Sequence, residues 1–343
     1  MIPTHIENIE QLEAILSTPS TQLIEMMTKL EGDILILGAG GKMGPSLAKR
    51  ARNAVEQSGK QRAVIAVSRF TDIGVREDLM RNKIETIVCD LLEEASLLKL
   101  PAVRNVIFMA GRKFGSTGNE SLTWAMNTFL PAIVARRFRA SNIVALSTGN
   151  VYPMMPVGSG GSKESDPTEP IGEYAQSCLG RERMIQYMSD ALRIPSTIIR
   201  LNYAIDLRYG VLHDVARKIY QAEPIDLRMG FVNVIWQGDA NEIILRALNI
   251  CSVPPTILNV TGCETLPIEW LAREFGRRFD RKPTFAGSPA TTALLSDASA
   301  MKTRFGAPRV PIELMLDWIA HWIAIGGKSF NKPTHFEERE GKF

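Results

Sequence analysis

Tyr174 and Cys178 lie one helical turn apart in the segment EYAQSCLGRER, residues 173–183. Side chains four residues apart share a helical face, so we expect the phenol and the thiol to be neighbours. A phenol has a pKa near 10 and can move protons, whereas a thiol becomes nucleophilic only as the thiolate. No histidine lies close to Cys178 in the sequence to activate it. The pair is therefore either a packing contact or part of a proton-transfer site.

The elements that would position this pair alternate between strands and helices. Short apolar segments that read as buried strands are DILILGAG, AVIAVSR, IETIVCD, VRNVIFMAG, NIVALSTG and PSTIIRLN, with helical stretches between them such as 120–140 and 174–192. Strands that are apolar on both faces predict a parallel sheet covered by helices on both sides. With right-handed crossovers the fold class is α/β, a Rossmann-type doubly wound sheet.

The sequence divides into four predicted parts. After about residue 205 the alternation loosens, and a smaller C-terminal α/β region that binds substrate is expected there. We assign 1–32 to an N-terminal helical extension broken near Pro19, 33–205 to the dinucleotide-binding domain, 206–330 to the smaller region, and 331–343 to a tail. A segment near 230–262 is a candidate to complete the core of the first domain. The Gly/Ser/Pro-rich stretch 157–170 is expected to be a mobile active-site loop.

A glycine-rich turn follows the first buried strand, in ILILGAGGKMGPSLAKR. The commonest dinucleotide fingerprint would need a third glycine where Met43 stands, but glycines three residues apart, at 38, 41 and 44, also fit. Such glycines allow a sharp turn, a close approach of backbone to a pyrophosphate and tight helix–strand packing. Free N–H groups and the helix dipole then attract the phosphates. We therefore expect the cofactor to bind Gly38, Gly41, Lys42, Met43 and Gly44.

The next strand ends in Ser68 and Arg69, where an NAD site usually carries an acid for the ribose 2′-hydroxyl. An arginine can instead pair with a 2′-phosphate. The sequence thus favours NADP, with NAD as the alternative. Arg69 as a solvated surface charge remains the other interpretation.

Several segments together resemble the extended short-chain dehydrogenase/reductase family, whose members include nucleotide-sugar epimerases and dehydratases. They are the glycine spacing, CDL at 89–91, FMAG at 108–111, LSTGNVYP at 146–153, Tyr174, WQGDANEIILRAL, ILNVTGCETLPIEWLAREFGRR and LSDASAMKTRFGAP. The resemblance spans roughly residues 33–325. It implies an NAD(P)-dependent oxidoreductase of the epimerase/dehydratase type acting on a sugar, a nucleotide sugar or a similar hydroxylated substrate.

The same resemblance implies roles for individual residues. Asp90 would bond the adenine amino group, with Leu91 beside the ring, and Ala110 and Gly111 would line the ribose side of the cofactor. Thr148 would orient the substrate hydroxyl, and Tyr174 would act as its acid or base. Taken alone, the same three positions are also explained as a turn cap (Asp90), a strand-end hydroxyl (Thr148) and helix packing (Tyr174).

Cys178 departs from the family pattern, which has lysine four residues after the tyrosine. A phenol that works as a base near neutrality needs its pKa lowered by about two to three units, and a cation one turn away supplies part of that shift. A neutral thiol does not supply it, and a thiolate would raise the pKa of the phenol. Three interpretations remain: another cation such as Arg181 substitutes, Tyr174 works slowly or as an acid, or the chain binds cofactor without catalysis. A small buried thiol that fills space is the simplest description of Cys178.

The leading hypothesis is therefore an enzyme in which 110–121 and 157–170 form walls of the substrate site. The competing hypothesis is a non-catalytic NAD(P)-binding sensor or partner protein.

The composition favours neither nucleic acid nor membrane as a partner. Lys+Arg is 40 against Asp+Glu 37, and the charges are interspersed. Four scattered cysteines indicate no metal site or disulfide framework, so a reducing cytoplasm is the expected location. The N-terminus carries acids and no signal-peptide core. Because family members pair through two long helices, a homodimer is expected from the resemblance.

Overall fold

The structure is a computed structural model that describes residues 2–342. The helices are α1 Ile9–Ser17, α2 Thr21–Lys29, α3 Gly44–Gln57, α4 Ile73–Arg81, α5 Glu94–Leu98, α6 Glu120–Trp124, α7 Leu130–Arg137, α8 Gly172–Leu192, α9 Val211–Tyr220, α10 Gln237–Arg246, α11 Ile268–Phe279, α12 Ser299–Phe305 and α13 Ile312–Ala324. A π-helical segment, Ala125–Phe129, joins α6 to α7, and short 3₁₀ turns cover Gly149–Val151 and Ala247–Ile250.

The strands alternate with these helices through the first two thirds of the chain. They are β1 Ile34–Leu37, β2 Val64–Ser68, β3 Glu85–Val88, β4 Asn105–Phe108, β5 Asn142–Thr148, β6 Met155–Pro156, β7 Ser196–Leu201, β8 Ala204–Ile205, β9 Ile225–Asp226, β10 Phe231–Val232, β11 Ile235–Trp236, β12 Thr256–Val260, β13 Leu266–Pro267, β14 Phe285–Ala286 and β15 Thr292–Ala293. The two-residue strands form small pairs outside the main sheet.

The central sheet has seven parallel strands in the order β12-β7-β5-β4-β1-β2-β3. Alternate residues of β1 belong to different cores: Ile34 and Ile36 pack in one cluster, Leu35 and Leu37 in the other. Since side chains alternate across a strand, helices must cover both faces of the sheet. The doubly wound Rossmann-type fold predicted from the sequence is confirmed.

The strand order reverses between β1 and β4, which are neighbours at the centre of the sheet. In an open α/β sheet, a crevice forms beyond the carboxyl ends of the strands at such a switch point. Gly38 follows β1 with a φ of +91°, and a Cβ there would lie 2.6 Å from the backbone N of Ala110, which follows β4. Only glycine fits this turn without strain. The fold thus places the glycine-rich turn at the mouth of the central crevice.

The two N-terminal helices pack on the Rossmann core. The predicted break near Pro19 is confirmed, because α1 ends at Ser17 and Ser20 caps α2. Arg50 of α3 forms a buried ion pair with Glu242 of α10, with Nη1 and Oε2 2.7 Å apart, and Ser20 donates to the same carboxylate. The N-terminal helices therefore join a buried charged cluster.

Residues 331–342, which we name the C-terminal strap, cross from one region of the molecule to another. Thr334 donates its N–H and its hydroxyl to Asp214 of α9, at 2.7 and 2.6 Å. Arg339 donates to the carbonyl and hydroxyl of Thr292, at 2.8 and 2.7 Å. Gly341 packs against the backbone of Gly172 at the start of α8. The strap therefore connects the smaller C-terminal region to the helix that carries Tyr174.

Within residues 2–342, no helix is both long enough and apolar enough to cross a bilayer. The division of the chain at residues 32, 205 and 330 stays a prediction. The last strand of the central sheet along the chain is β12, Thr256–Val260, which pairs with β7 and comes from the later part of the chain.

Candidate active site

Three predicted site residues come together at the carboxyl edge of the sheet. Thr148 is the last residue of β5, and Tyr174 and Cys178 occupy the first two turns of α8. The Tyr174 phenol interacts with both the Thr148 hydroxyl and the Cys178 thiol. Thr148 in turn donates to Asn150 Oδ1 at 2.9 Å, which fixes its hydroxyl. The arrangement holds the phenol beside a second hydroxyl at the end of the central crevice.

The surroundings of Tyr174 make its phenol hard to ionise. Burial raises the pKa of the phenol above its ordinary value, and the neighbouring Cys178 raises it further, while Arg181 and Thr148 oppose the shift. Burial also raises the pKa of Cys178, which packs in an apolar cluster with Val151 and Tyr152. The thiol is therefore neutral and fills space. It makes no contribution to activating the phenol.

Two cations lie close to this phenol. The buried guanidinium of Arg181 donates to the carbonyl oxygens of Leu146 and Asn127 and lies on the wall of the crevice. Lys113, which follows β4, places its Nζ 5.6 Å from the centre of the Tyr174 ring. Burial lowers the pKa of Lys113 to about 8. Arg181 therefore opposes the raised pKa of Tyr174, and Lys113 lies over the ring of the same side chain.

Asn127 holds this site together and was not predicted from the sequence. Its Oδ1 accepts from the Arg112 N–H at 2.8 Å and from Arg181 Nη2 at 2.9 Å. Its Nδ2 donates to the Arg112 carbonyl at 2.8 Å and to the Ser177 hydroxyl at 3.0 Å. It lies in the π-helical segment, whose extra residue per turn directs a buried amide toward α8. No local pattern in the sequence announces such a segment.

A buried charged network joins α8 to the central sheet. Glu182 is fully buried, accepts from the Ser147 hydroxyl at 2.6 Å and pairs with Arg200 of β7, with Nη2 and Oε2 2.7 Å apart. Arg200 also donates to the Tyr152 hydroxyl at 2.7 Å. This network ties α8 to β5 and β7, and so fixes the position of Tyr174.

We expect Arg200→Leu to lower the free energy of unfolding by about 3–5 kcal/mol, because it leaves the buried Glu182 carboxylate without its partner. Urea unfolding followed by circular dichroism measures the change. The matched control is Arg273→Leu, which removes an exposed ion pair with Glu269 and should cost at most about 1 kcal/mol. Equal losses in the two variants would contradict the assigned role of the network.

Two cavities meet at the glycine-rich turn. One of about 380 Å³ extends toward Thr148 and Tyr174, and the other, of about 250 Å³, extends toward Ser68 and Asp90. Both are lined by Gly38, Gly41, Met109 and Gly111, so together they form one elongated crevice. Gly44 packs directly on the backbone of Ala39, which brings the first turn of α3 up to the crevice. The glycine-rich turn therefore lies in the middle of this crevice.

The predicted adenosine-side residues all line the second cavity: Ser68, Arg69, Asp90, Leu91 and Ala110. Arg69 is exposed and forms no ion pair within the described part of the chain. Asp90 accepts from the Leu92 N–H at 3.0 Å and therefore also caps a turn. Lys42, Met43 and Gly111 line the first cavity.

The prediction that residues 157–170 form a wall of the substrate site is wrong. No residue of this loop lines either cavity, because Ser162 pairs with Leu295 and Asp297 and Glu164 accepts from the Asn259 N–H. Its place on the wall is taken by Tyr203, Tyr209 and the strap residue Thr334, which carry no distinctive motif. The predicted wall at 110–121 is present through Gly111, Arg112, Lys113 and Phe114.

Two solved structures of similar fold are UDP-sugar epimerases. A UDP-glucose 4-epimerase from Thermotoga maritima, solved with UDP-glucose, aligns with a TM-score of 0.69 at 15% identity over 85% of this chain and 98% of that one. A UDP-glucuronic acid 4-epimerase from Bacillus cereus, solved with UDP-glucuronic acid and NAD, aligns with a TM-score of 0.69 at 17% identity over 85% and 99%. At this identity the likeness concerns the fold.

A search of curated protein sequences gives no match. The family model described as the NAD dependent epimerase/dehydratase family matches residues 34–228, which is more than half of the 343 residues. The matched stretch includes the glycine-rich turn, Thr148 and Tyr174, as the resemblance implied. The chain belongs to the NAD-dependent epimerase/dehydratase family.

Proposed function

We propose that this protein is an NAD(P)-dependent oxidoreductase of the epimerase/dehydratase type, acting on a sugar, a nucleotide sugar or a similar hydroxylated substrate. The observation that carries the proposal is the placement of Thr148 and Tyr174 at one end of a crevice whose middle is the glycine-rich turn. The names of the solved structures of similar fold point the same way, since those proteins act on UDP-sugars.

The proposed roles follow from the positions of the side chains. The bound nicotinamide would supply the hydride acceptor or donor. Thr148 hydrogen-bonds the reacting substrate oxygen, and Tyr174 takes or returns its proton. Because Cys178 is neutral, Lys113 and Arg181 provide the positive charge that favours the phenolate. The thiol therefore does not stop the chemistry in this account.

Incubation of the pure protein with NADP⁺ or NAD⁺ and a panel of sugars, sugar acids and UDP-sugars tests the proposal. Reduced nicotinamide, followed by its fluorescence, should accumulate with at least one substrate class or appear transiently during isomerisation. Cofactor binding with no hydride transfer and no isomerised product across the panel would favour the alternative, a non-catalytic NAD(P)-binding sensor or partner protein.

We further propose NADP as the cofactor, with NAD as the alternative, because Arg69 lies at the adenosine end of the crevice and forms no ion pair within residues 2–342. Arg69→Ser should weaken NADP⁺ binding by roughly 10- to 100-fold, the range expected for hydrogen bonds to a charged group. NAD⁺ binding should change little. Calorimetric titration measures both constants, with Arg81→Ser as a control on the exposed face of α4. An equal effect on both cofactors would contradict 2′-phosphate recognition.

Homodimer formation through 120–140 and 174–192 and a cytoplasmic location stay predictions. Sedimentation of the pure protein tests the first of these.

A further inference from the structure

The larger cavity is positively charged. The ionisable cations on its wall are Lys42, Arg112, Lys113 and Arg181, and among the described residues no aspartate or glutamate lines it. A cleft lined by one sign of charge concentrates counter-ions of the other sign. The cavity is therefore suited to an anion in addition to the reacting hydroxyl.

Lys42 is one of the cations on this wall. Its backbone belongs to the glycine-rich turn, but its side chain leaves the turn and places Nζ 3.2 Å from the centre of the Tyr209 ring and 4.6 Å from that of Phe114. It forms no ion pair within residues 2–342. The nearest carboxylate influence comes from Asp214, whose Oδ2 is already occupied by the N–H and hydroxyl of Thr334.

The electrostatic surroundings of the Lys42 ammonium group favour a bound anion. Burial lowers the pKa of Lys42 to about 7, and the charges of Lys332 and Lys113 add to this effect. An anion bound between these lysines would offset both the burial and the repulsion. Among residues 2–342, Asp214 opposes this lowering of the pKa only in part.

The C-terminal strap limits the size of the anion. Thr334 of the strap lines the cavity, and His335 packs near Phe114 with ring centres 6.3 Å apart. The cavity of about 380 Å³ has to accept both the nicotinamide end of the cofactor and the substrate. This lies near the low end of ligand sites, which span about 300–1,000 Å³. Thr334 therefore narrows the space that is left beside the cofactor for a bulky group such as a second nucleotide.

We propose that the substrate is a small hydroxylated carboxylate, such as a sugar acid or hydroxy acid without a nucleotide, whose carboxylate binds Lys42 between Tyr209 and Phe114. The inference rests on the proposed function, because it takes the Tyr174 end of the same cavity as the reacting centre. The backbone of Lys42 remains available to the cofactor diphosphate, whereas its side chain serves the substrate.

The test is calorimetric titration of the NADP⁺-loaded protein with gluconate and glucuronate, then with glucose and UDP-glucose. The acids should bind at least about 10-fold more tightly than glucose and more tightly than UDP-glucose. Lys42→Met should weaken binding of the acids by roughly 10- to 100-fold and binding of NADP⁺ to the unloaded protein clearly less, while Lys42→Arg should retain most of the acid affinity. Lys60→Met, at an exposed lysine outside the cavity, serves as the control.

Three results would overturn the inference. The first is that neither acid binds more tightly than glucose, and the second is that UDP-glucose binds more tightly than both acids. The third is that Lys42→Met weakens NADP⁺ binding as much as acid binding, which would make the cofactor diphosphate the anion at Lys42. Failure of the proposed function looks different: the wild-type protein then takes up neither NADP⁺ nor NAD⁺, or it binds a cofactor without hydride transfer or isomerised product for any substrate of the panel.

Discussion

Tyr174→Phe should reduce hydride transfer by about 10²- to 10⁴-fold, the usual contribution of a positioned acid or base. The variant removes only the hydroxyl that contacts Thr148 and Cys178, so the aromatic packing of α8 is kept. Cofactor affinity and thermal stability should stay close to those of the wild type. Single-turnover fluorescence of the nicotinamide measures the rate.

The matched control is Tyr187→Phe, because Tyr187 is exposed on the same helix and far along it from the crevice. It should leave the rate unchanged. Retention of full hydride transfer by Tyr174→Phe would remove the phenol from the chemistry and leave Tyr174 as a packing residue.

Lys113→Met should lower hydride transfer by roughly 10- to 100-fold near neutral pH. The reason is electrostatic: a cation near the phenol favours the phenolate, and its loss raises the pKa of Tyr174 by roughly one to two units. The rising limb of the pH–rate profile should therefore move to higher pH. A titration of tyrosinate absorbance, with Tyr174→Phe as the blank, reports the same shift without turnover.

The pH dependence of the wild type carries a second signature of Lys113. Its pKa of about 8 means that the lysine is charged below that pH and loses its charge above it. The support for the phenolate should therefore weaken as the pH rises through about 8, and this loss should be absent from Lys113→Met.

Cys178→Lys tests whether Lys113 substitutes for the lysine expected at position 178. In the Lys113→Met background it should raise the rate of hydride transfer at least about tenfold over Lys113→Met alone, because it restores a cation one turn from the phenol. Cys178→Ala in the same background is the control and should recover nothing. Thermal unfolding must accompany both, since Cys178 is buried and a lysine needs more room. Activity unaffected by Lys113→Met would exclude Lys113 from this role.

In the wild-type background, Cys178→Lys separates the two functional hypotheses. A sharp rise in hydride transfer with unchanged cofactor affinity would mean that the natural site is catalytically weakened. A lower rate of hydride transfer would mean that the site functions with the thiol at position 178. That result would contradict the hypothesis of a non-catalytic protein.

Much of the fold was predictable because its signals are local. The strand before Gly38 is a continuous apolar run, and the glycines that follow allow a turn which other residues do not tolerate. The strands that end at Ser68, Phe108 and Thr148 all place the residues that follow them at one edge, because parallel strands share a carboxyl edge. The placement of Tyr174 beside Thr148 follows from these elements and one helix.

The rest of the site depends on contacts between distant segments. Lys113 lies over the Tyr174 ring although about sixty residues of chain separate them. Asn127 contacts Ser177 and Arg181 of α8 from a π-helical segment that no periodicity predicts. Loop 157–170 looked suitable for an active site from its composition, yet Ser162 and Glu164 anchor it elsewhere. The strap residue Thr334 enters the wall only because the strap folds back across the molecule.

The central claim is that the crevice holds a nicotinamide dinucleotide with its reactive ring facing the Tyr174 phenol. A crystal structure of the protein soaked with NADP⁺ tests it most directly. We expect the diphosphate at the N-terminus of α3, the 2′-phosphate near Arg69 and the nicotinamide in the cavity beside Thr148 and Tyr174. A nucleotide bound elsewhere, or a nicotinamide directed away from Tyr174, would contradict the account.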